Sequence, residues 1–312
     1  MARKTLLITG ALLATAAAVV LRTRQAERQN PPLGKFIEVD GVRLHYVERG
    51  SGDPLVLLHG NSSLMQDFLT SDLVRLAAQT HRVIVFDRPG YGYSERPRNR
   101  VWTPAAQASL FDAALKRLGI ERAHVLGHSW GTLVAVQLAL RHPERVRSLT
   151  LLSGYYFPTA RVDAVLAAGP AIPIIGDIMR FTVSPVWGRL TWPLLLRALF
   201  GPAKAPEHFA GVPRSFVLSP RSIRAAAEEG AIMVPSVAKV QDRYAELKMP
   251  VTIVTGDADR IVSMKDQSER LHRTIPGSRL VVLPRVGHMV HHMEPRAVMD
   301  AIKDASGPSI RR

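Results

Sequence analysis

The chain has 312 residues, of which 46% are hydrophobic and 21% charged, the profile of a folded globular protein rather than a disordered one. Its formal net charge is +15 and it contains no cysteine, so disulfides, thiolate metal sites and cysteine nucleophiles are all excluded. No dense Lys/Arg run accompanies the positive charge, which reads as a solvated basic surface and not as a nucleic-acid interface. The first segment places Arg3 and Lys4 before an uncharged stretch from Thr5 to Leu21, followed by Arg22 and Arg24. As a helix that stretch would span roughly 25 Å at 1.5 Å per residue, near the short limit for crossing a hydrocarbon core of about 30 Å. It is read as a single-pass N-terminal membrane anchor. The alternative is a cleaved signal with Ala16-Ala17-Ala18 at the cleavage site and a secreted or periplasmic product, but Arg22, Arg24 and Arg28 follow that site closely and disfavour export. Residues 25–35, polar and carrying Pro31-Pro32, read as a linker.

From residue 36 the pattern becomes an alternation of strands and helices. Asp40-Gly41 between two apolar runs predicts a hairpin over 36–47. Pro54 to Leu58, Val83 to Phe86, Ala123 to Leu126 and Val146 to Leu152 are short continuous apolar runs, suited to strands buried on both faces of a parallel sheet. Helices intervene, one opening at Thr103-Pro104 and stopping at Gly119, another ending at His142-Pro143. Between residues 154 and 248 prolines recur and no strand-helix unit is legible. Val251 to Thr255 and Arg279 to Leu283 then resume the strand pattern.

The stretch Gly127-His128-Ser129-Trp130-Gly131 lies between a strand and a helix. In such a G-x-S-x-G turn the serine stands exposed at a strained strand-to-helix corner, beside free helix N–H groups that favour negative charge. Asp259 and His288 follow in the order Ser…Asp…His. With these residues the chain resembles the α/β-hydrolase superfamily, in its serine-nucleophile, cap-containing branch, over about residues 36–304. The resemblance implies an α/β fold: a mostly parallel eight-stranded sheet flanked by helices, with an inserted helical cap. The division it implies is 1–34 anchor or signal segment plus linker, 35–153 and 249–306 core, and 154–248 cap.

The same resemblance implies the site. Ser129 is the nucleophile, His288 the base and Asp259 the acid that orients it, selected over Asp257 by its G-x-x-D-x-x-V frame. The backbone N–H groups of Asn61 and Trp130 form the oxyanion hole, and Gly127 and Gly131 shape the turn. His59 is read as a brace for its loop, and Asp87 to Ser94 as a mainly structural loop. An Asn-plus-Trp pair occurs in relatives that bind halide, but those use Asp as nucleophile, so Ser129 argues against dehalogenation. His291 and His292 are expected to be exposed or to cap a helix. Three histidines in five residues hint at a metal, yet no adjacent carboxylate or thiol cluster completes such a set, and no metal or other cofactor is expected. The expected chemistry is hydrolysis of a small carboxylic ester with an apolar acyl or alcohol part. Thioester, C–C and perhydrolase chemistry and acyl transfer stay open on the same residues, as does a non-catalytic ligand-binding protein on this scaffold. Oligomeric state is not legible.

Overall fold

The structure is a computed structural model that describes residues 2–160 and 167–306. Eight strands form one sheet: β1 (Lys35–Val39), β2 (Val42–Arg49), β3 (Asp53–Leu58), β4 (His81–Phe86), β5 (Ala123–His128), β6 (Val146–Leu152), β7 (Val251–Gly256) and β8 (Arg279–Leu283). Their order is β1-β2-β4-β3-β5-β6-β7-β8. β1 and β2 form the Asp40-Gly41 hairpin, with both turn residues at positive φ, and β2 runs antiparallel to β4. All later pairings are parallel.

The apolar runs are buried because the sheet is covered on both faces. On one side Val56, Leu58, Ile84, Phe86 and Val125 pack against helices Pro104–Arg117 and Trp130–Arg141. On the other, Leu55, Leu57, Val83, Val85 and Leu126 pack against helices Asp72–Ala77 and Pro295–Ser306. Alternate strand residues face opposite layers, so a strand buried on both faces must be apolar throughout. Thr103 caps its helix, its Oγ1 accepting the Ala106 N–H at 3.1 Å.

Between β6 and β7 the described residues form helices and no strand, chiefly Ile175–Phe181, Val183–Phe200 and Pro220–Ala238. Residues 161–166 of the expected cap lie outside the described residues. This insertion has its own small core, with Phe200, Phe209, Phe216 and Val217 packed on Leu64, Tyr91 and Met289 of the sheet domain.

The N-terminal helix is longer than the uncharged run implies. It spans Ala2–Gln29, so the first part of the expected linker is helical. Its end is held by the body: Tyr93 Oη donates to the carbonyls of Glu27 at 3.1 Å and Asn30 at 2.6 Å, and Ala26 is buried. The helical hydrogen-bond ladder is thus continued past the apolar residues by a docked terminus, a contact that local composition does not encode.

Candidate active site

Parallel register brings the site together. Leu58 pairs with Gly127, so the loop after β3 lies beside the turn after β5. Gly256 pairs with Leu283, so the loops carrying Asp259 and His288 are neighbours. All of them leave the carboxyl end of the sheet, where open α/β sheets place ligands.

Ser129 sits at the corner between β5 and helix Trp130–Arg141 with φ 51° and ψ −119°. A non-glycine residue there carries strain of order 1–3 kcal/mol. Its surroundings impose it: the Ser129 N–H donates to the Leu152 carbonyl at 2.9 Å, and its carbonyl accepts from the Thr132 N–H and hydroxyl at 3.0 and 2.6 Å. Gly131 has no alternative, since a Cβ there would run into the Leu58 carbonyl. At Gly127 a Cβ would meet the Gly131 carbonyl at 2.5 Å.

His288 and Asp259 are joined by a 2.8 Å contact between Nδ1 and Oδ2, both side chains being buried. The other Asp259 oxygen accepts the N–H groups of Ile261 and Val262 at 2.8 and 3.0 Å. Asp257 is instead an exposed loop residue whose Oδ1 accepts the Arg285 N–H at 2.6 Å. The carboxylate facing the histidine is therefore Asp259. The insertion steadies the same loop, the His288 N–H donating to Leu199 at 2.8 Å.

Ser129, His288, Asn61 and Trp130 border one cavity of about 300 Å³. Its wall is otherwise largely apolar, with Trp192, Leu195, Phe209 and Val217 from the insertion and Ile261, Val262 and Met289 from the sheet domain. No Lys or Arg is among its described lining residues. A second cavity of about 520 Å³ shares Asn61, Trp192, Leu195 and Val217 with it and continues along Trp187 and Met179. Among the described residues, no acceptor is found for the backbone N–H of Asn61 or Trp130.

The Asn61 side chain is already committed. Its Nδ2 donates to the Ala226 carbonyl at 3.0 Å and to Glu229 at 3.3 Å, and its Oδ1 accepts from Ser62. Glu229 is the centre of a buried network that the sequence does not signal. Arg88 pairs with it at 2.5 and 3.0 Å, and Tyr91 Oη and Gln107 Nε2 donate to it at 2.8 and 2.9 Å. Burial opposes the Glu229 charge, but Arg88 overcomes this and holds its carboxyl below the usual range. The network ties the insertion to the loop bearing Asn61.

His59 braces that loop as expected: its Nδ1 donates to Gly60 at 2.8 Å and its Nε2 accepts the Arg88 N–H at 3.0 Å. Burial, reinforced by Arg88, pulls its pKa down to about 4. Asp87 is structural too, bonded to the Met65 and Tyr93 N–H groups and to His45.

His291 and His292 depart from expectation. Both are buried, and neither is an exposed helix cap. His292 Nε2 lies 2.9 Å from Asp67 Oδ1 and His291 Nε2 lies 3.3 Å from the same atom. The carboxylate they meet, Asp67, comes from the short helix Gln66–Leu69 after β3. His128 joins them, its ring 4.5 Å from His291 and 4.9 Å from His288. Burial resists ionisation of Asp67, yet His291 and His292 hold its carboxyl well below the usual range. Burial, with His291 and His288 beside it, keeps the His128 ring neutral far below the usual histidine range.

An eight-stranded sheet in this order, with a strained serine corner and a His–Asp pair on one cavity, is the arrangement of a hydrolase. The family model of the alpha/beta hydrolase fold matches residues 53–295, and the chain belongs to that family. Among its relatives is the 2-hydroxymuconate semialdehyde hydrolase of Pseudomonas putida, 29% identical over 86% of this chain and 93% of the relative. Haloalkane dehalogenase 2 of Mycobacterium bovis is 27% identical over 85% and 92%. A solved membrane phospholipase A superposes with a TM-score of 0.66 over 97% of this chain and all of that one; at 22% identity the likeness is one of fold.

Proposed function

We propose that the chain is a serine hydrolase that cleaves a carboxylic ester with an apolar acyl or alcohol part. In this reading Ser129 Oγ attacks the acyl carbonyl while His288 Nε2 takes its proton. Asp259, bonded to Nδ1, fixes the tautomer and stabilises the imidazolium. The oxyanion is received by the N–H groups of Asn61 and Trp130, each worth on the order of 3 kcal/mol. The alcohol leaves with the proton from His288, and a water activated by the same ring releases the acid. The observation that carries the choice of ester is the wall of the cavity: apolar side chains from the insertion and no cation among the described lining residues. A muconate-type substrate, such as the name of the Pseudomonas putida relative denotes, bears a carboxylate for which the described lining residues offer no cationic partner. Halide release has less support, because the nucleophile position is a serine and Asn61 is engaged by Ala226 and Glu229.

The N-terminal helix supports attachment to a membrane through residues 5–21. Lys4–Gln29 is long and apolar enough to cross a bilayer, and almost none of it is buried. Beside it the insertion exposes Ile174, Trp187, Leu190 and Leu194.

The test is a chain-length series of neutral activated esters beside the same esters bearing a terminal carboxylate. Neutral esters should turn over with an optimum set by the cavity, and the carboxylates at least about tenfold less well, the effect of some 1.4 kcal/mol. Asp259→Asn should lower kcat by about 10⁴, as loss of the orienting acid does elsewhere. Equal or better turnover of the carboxylate series would move the reading to acidic substrates.

A further inference from the structure

Beside the catalytic groups lies a second buried set. Asp67 lies in the short helix Gln66–Leu69 after β3, His128 ends β5, and His291 belongs to helix Val290–Met293. One donor atom of each lies within 4.8 Å of the others, and all three side chains are at least nine-tenths buried. Asp67 Oδ2, His128 Nδ1 and His291 Nδ1 have no hydrogen-bond partner among the described residues, and His291 Nε2 makes only a poorly aligned 3.3 Å approach to Asp67 Oδ1. Buried polar atoms left so are rare and costly.

Tautomer logic sharpens the point. His128 Nε2 is 3.2 Å from the His288 carbonyl, which only accepts, so Nε2 carries the proton. In a neutral ring Nδ1 is then a lone pair, and it faces Asp67 Oδ2 across 3.9 Å. Two acceptors facing each other in a buried site repel unless a donor or cation stands between them. His292 does not relieve this, because it engages the other carboxylate oxygen, Oδ1, and its own Nδ1 faces His208 at 3.1 Å.

We propose that Asp67, His128 and His291 bind a first-row divalent cation, with zinc the type ion. Two imidazoles and one carboxylate suit zinc and its first-row neighbours, whereas magnesium and calcium prefer oxygen donors alone. The surroundings match those of metal ligands elsewhere: the far nitrogen of His128 is fixed by a carbonyl and the far oxygen of Asp67 by His292. Asp67 and His128 also border the Ser129 cavity, which puts the proposed cation next to the catalytic groups. The cation would tie together the three segments that carry Asn61, Ser129 and His288.

The experiment uses the full chain in detergent, purified without a histidine tag and stripped with chelator, then titrated with Co(II) as a spectroscopic probe. One equivalent should bind and give visible d–d absorption, and Zn(II) should displace it. His291→Gln and Asp67→Asn should each weaken binding at least about a hundredfold, the upper end of what even an outer partner contributes. His142→Ala removes the other described grouping of this kind, Asp112 with His142 and Glu144, and should leave binding intact. Circular dichroism reports whether each variant folds. If neither ligand variant does, paramagnetically shifted imidazole resonances of the Co(II)-loaded wild type decide in their place. No binding below about 1 mM, binding that survives in both folded variants, or cobalt without buried imidazole ligands would overturn the proposal, leaving Asp67 and its histidines a hydrogen-bonded brace.

Discussion

Ser129 owes its conformation to one distant group, the Leu152 carbonyl of the next strand, and to one local one, Thr132 in the next turn of helix. The residue itself was legible, because glycines on both sides of a strand-to-helix serine leave few other readings. The G-x-x-D-x-x-V frame favours Asp259 over Asp257, and the geometry brings Asp259 and not Asp257 to His288. The histidine cluster was not legible. His291 and His292 read as a local feature, whereas their partner Asp67 is more than 220 residues away in the chain. At this scale His59 makes a pH prediction. Its folded pKa of about 4 lies below its ordinary 6.5, so between those values the unfolded chain binds the extra proton. The stabilisation is complete above about pH 6.5 and is lost as pH falls toward 4, amounting to about 3 kcal/mol for this fully buried ring. His124, lowered to about 4 mainly by burial, acts in the same direction. Urea unfolding at pH 7 and pH 4.5 should show the loss, and His59→Gln should reduce the difference between the two. A variant with the full wild-type pH dependence would contradict the assignment.

Among the elements, strands were the most readable and the insertion the least. Runs such as Leu55 to Leu58 and Val83 to Phe86 are apolar because both faces are covered, and that requirement is written residue by residue. Helix Pro220–Ala238 is held instead by long-range polar contacts: Glu229 against Arg88, Gln107 and Tyr91, Glu228 against Arg96, and the Ala226 carbonyl against Asn61. No periodicity signals a pair separated by that much chain. Removing one partner of a buried ion pair strands the other, at a cost of about 3–5 kcal/mol. Glu229→Gln should therefore lower the unfolding free energy by that order, and it should also slow ester turnover because Asn61 loses one of its two side-chain acceptors, keeping only the Ala226 carbonyl. A variant as stable as wild type would show that the insertion is held by its apolar contacts alone.

For the whole molecule, composition indicates a folded globular protein and the N-terminal run a long apolar helix, but neither signals the docking of that helix's end through Tyr93. Positive charge and an apolar helix together favour anionic lipid. In vesicle flotation the full chain should rise with the lipid at high salt, and a chain beginning at Lys35 should stay behind while keeping its turnover. Flotation of the shortened chain would assign membrane binding to the exposed face of the insertion instead. In the proposed reading the sheet, the corner and the His–Asp pair act together to activate one serine. The direct measurement is peptide mapping after reaction with an activated phosphonate ester, run on wild type, Ser129→Ala and His288→Ala. A single adduct on the peptide containing Ser129 in wild type, none in Ser129→Ala, and labelling slowed at least about a thousandfold in His288→Ala are the expected result. A label on another residue, or ester turnover that persists in Ser129→Ala, would contradict the account.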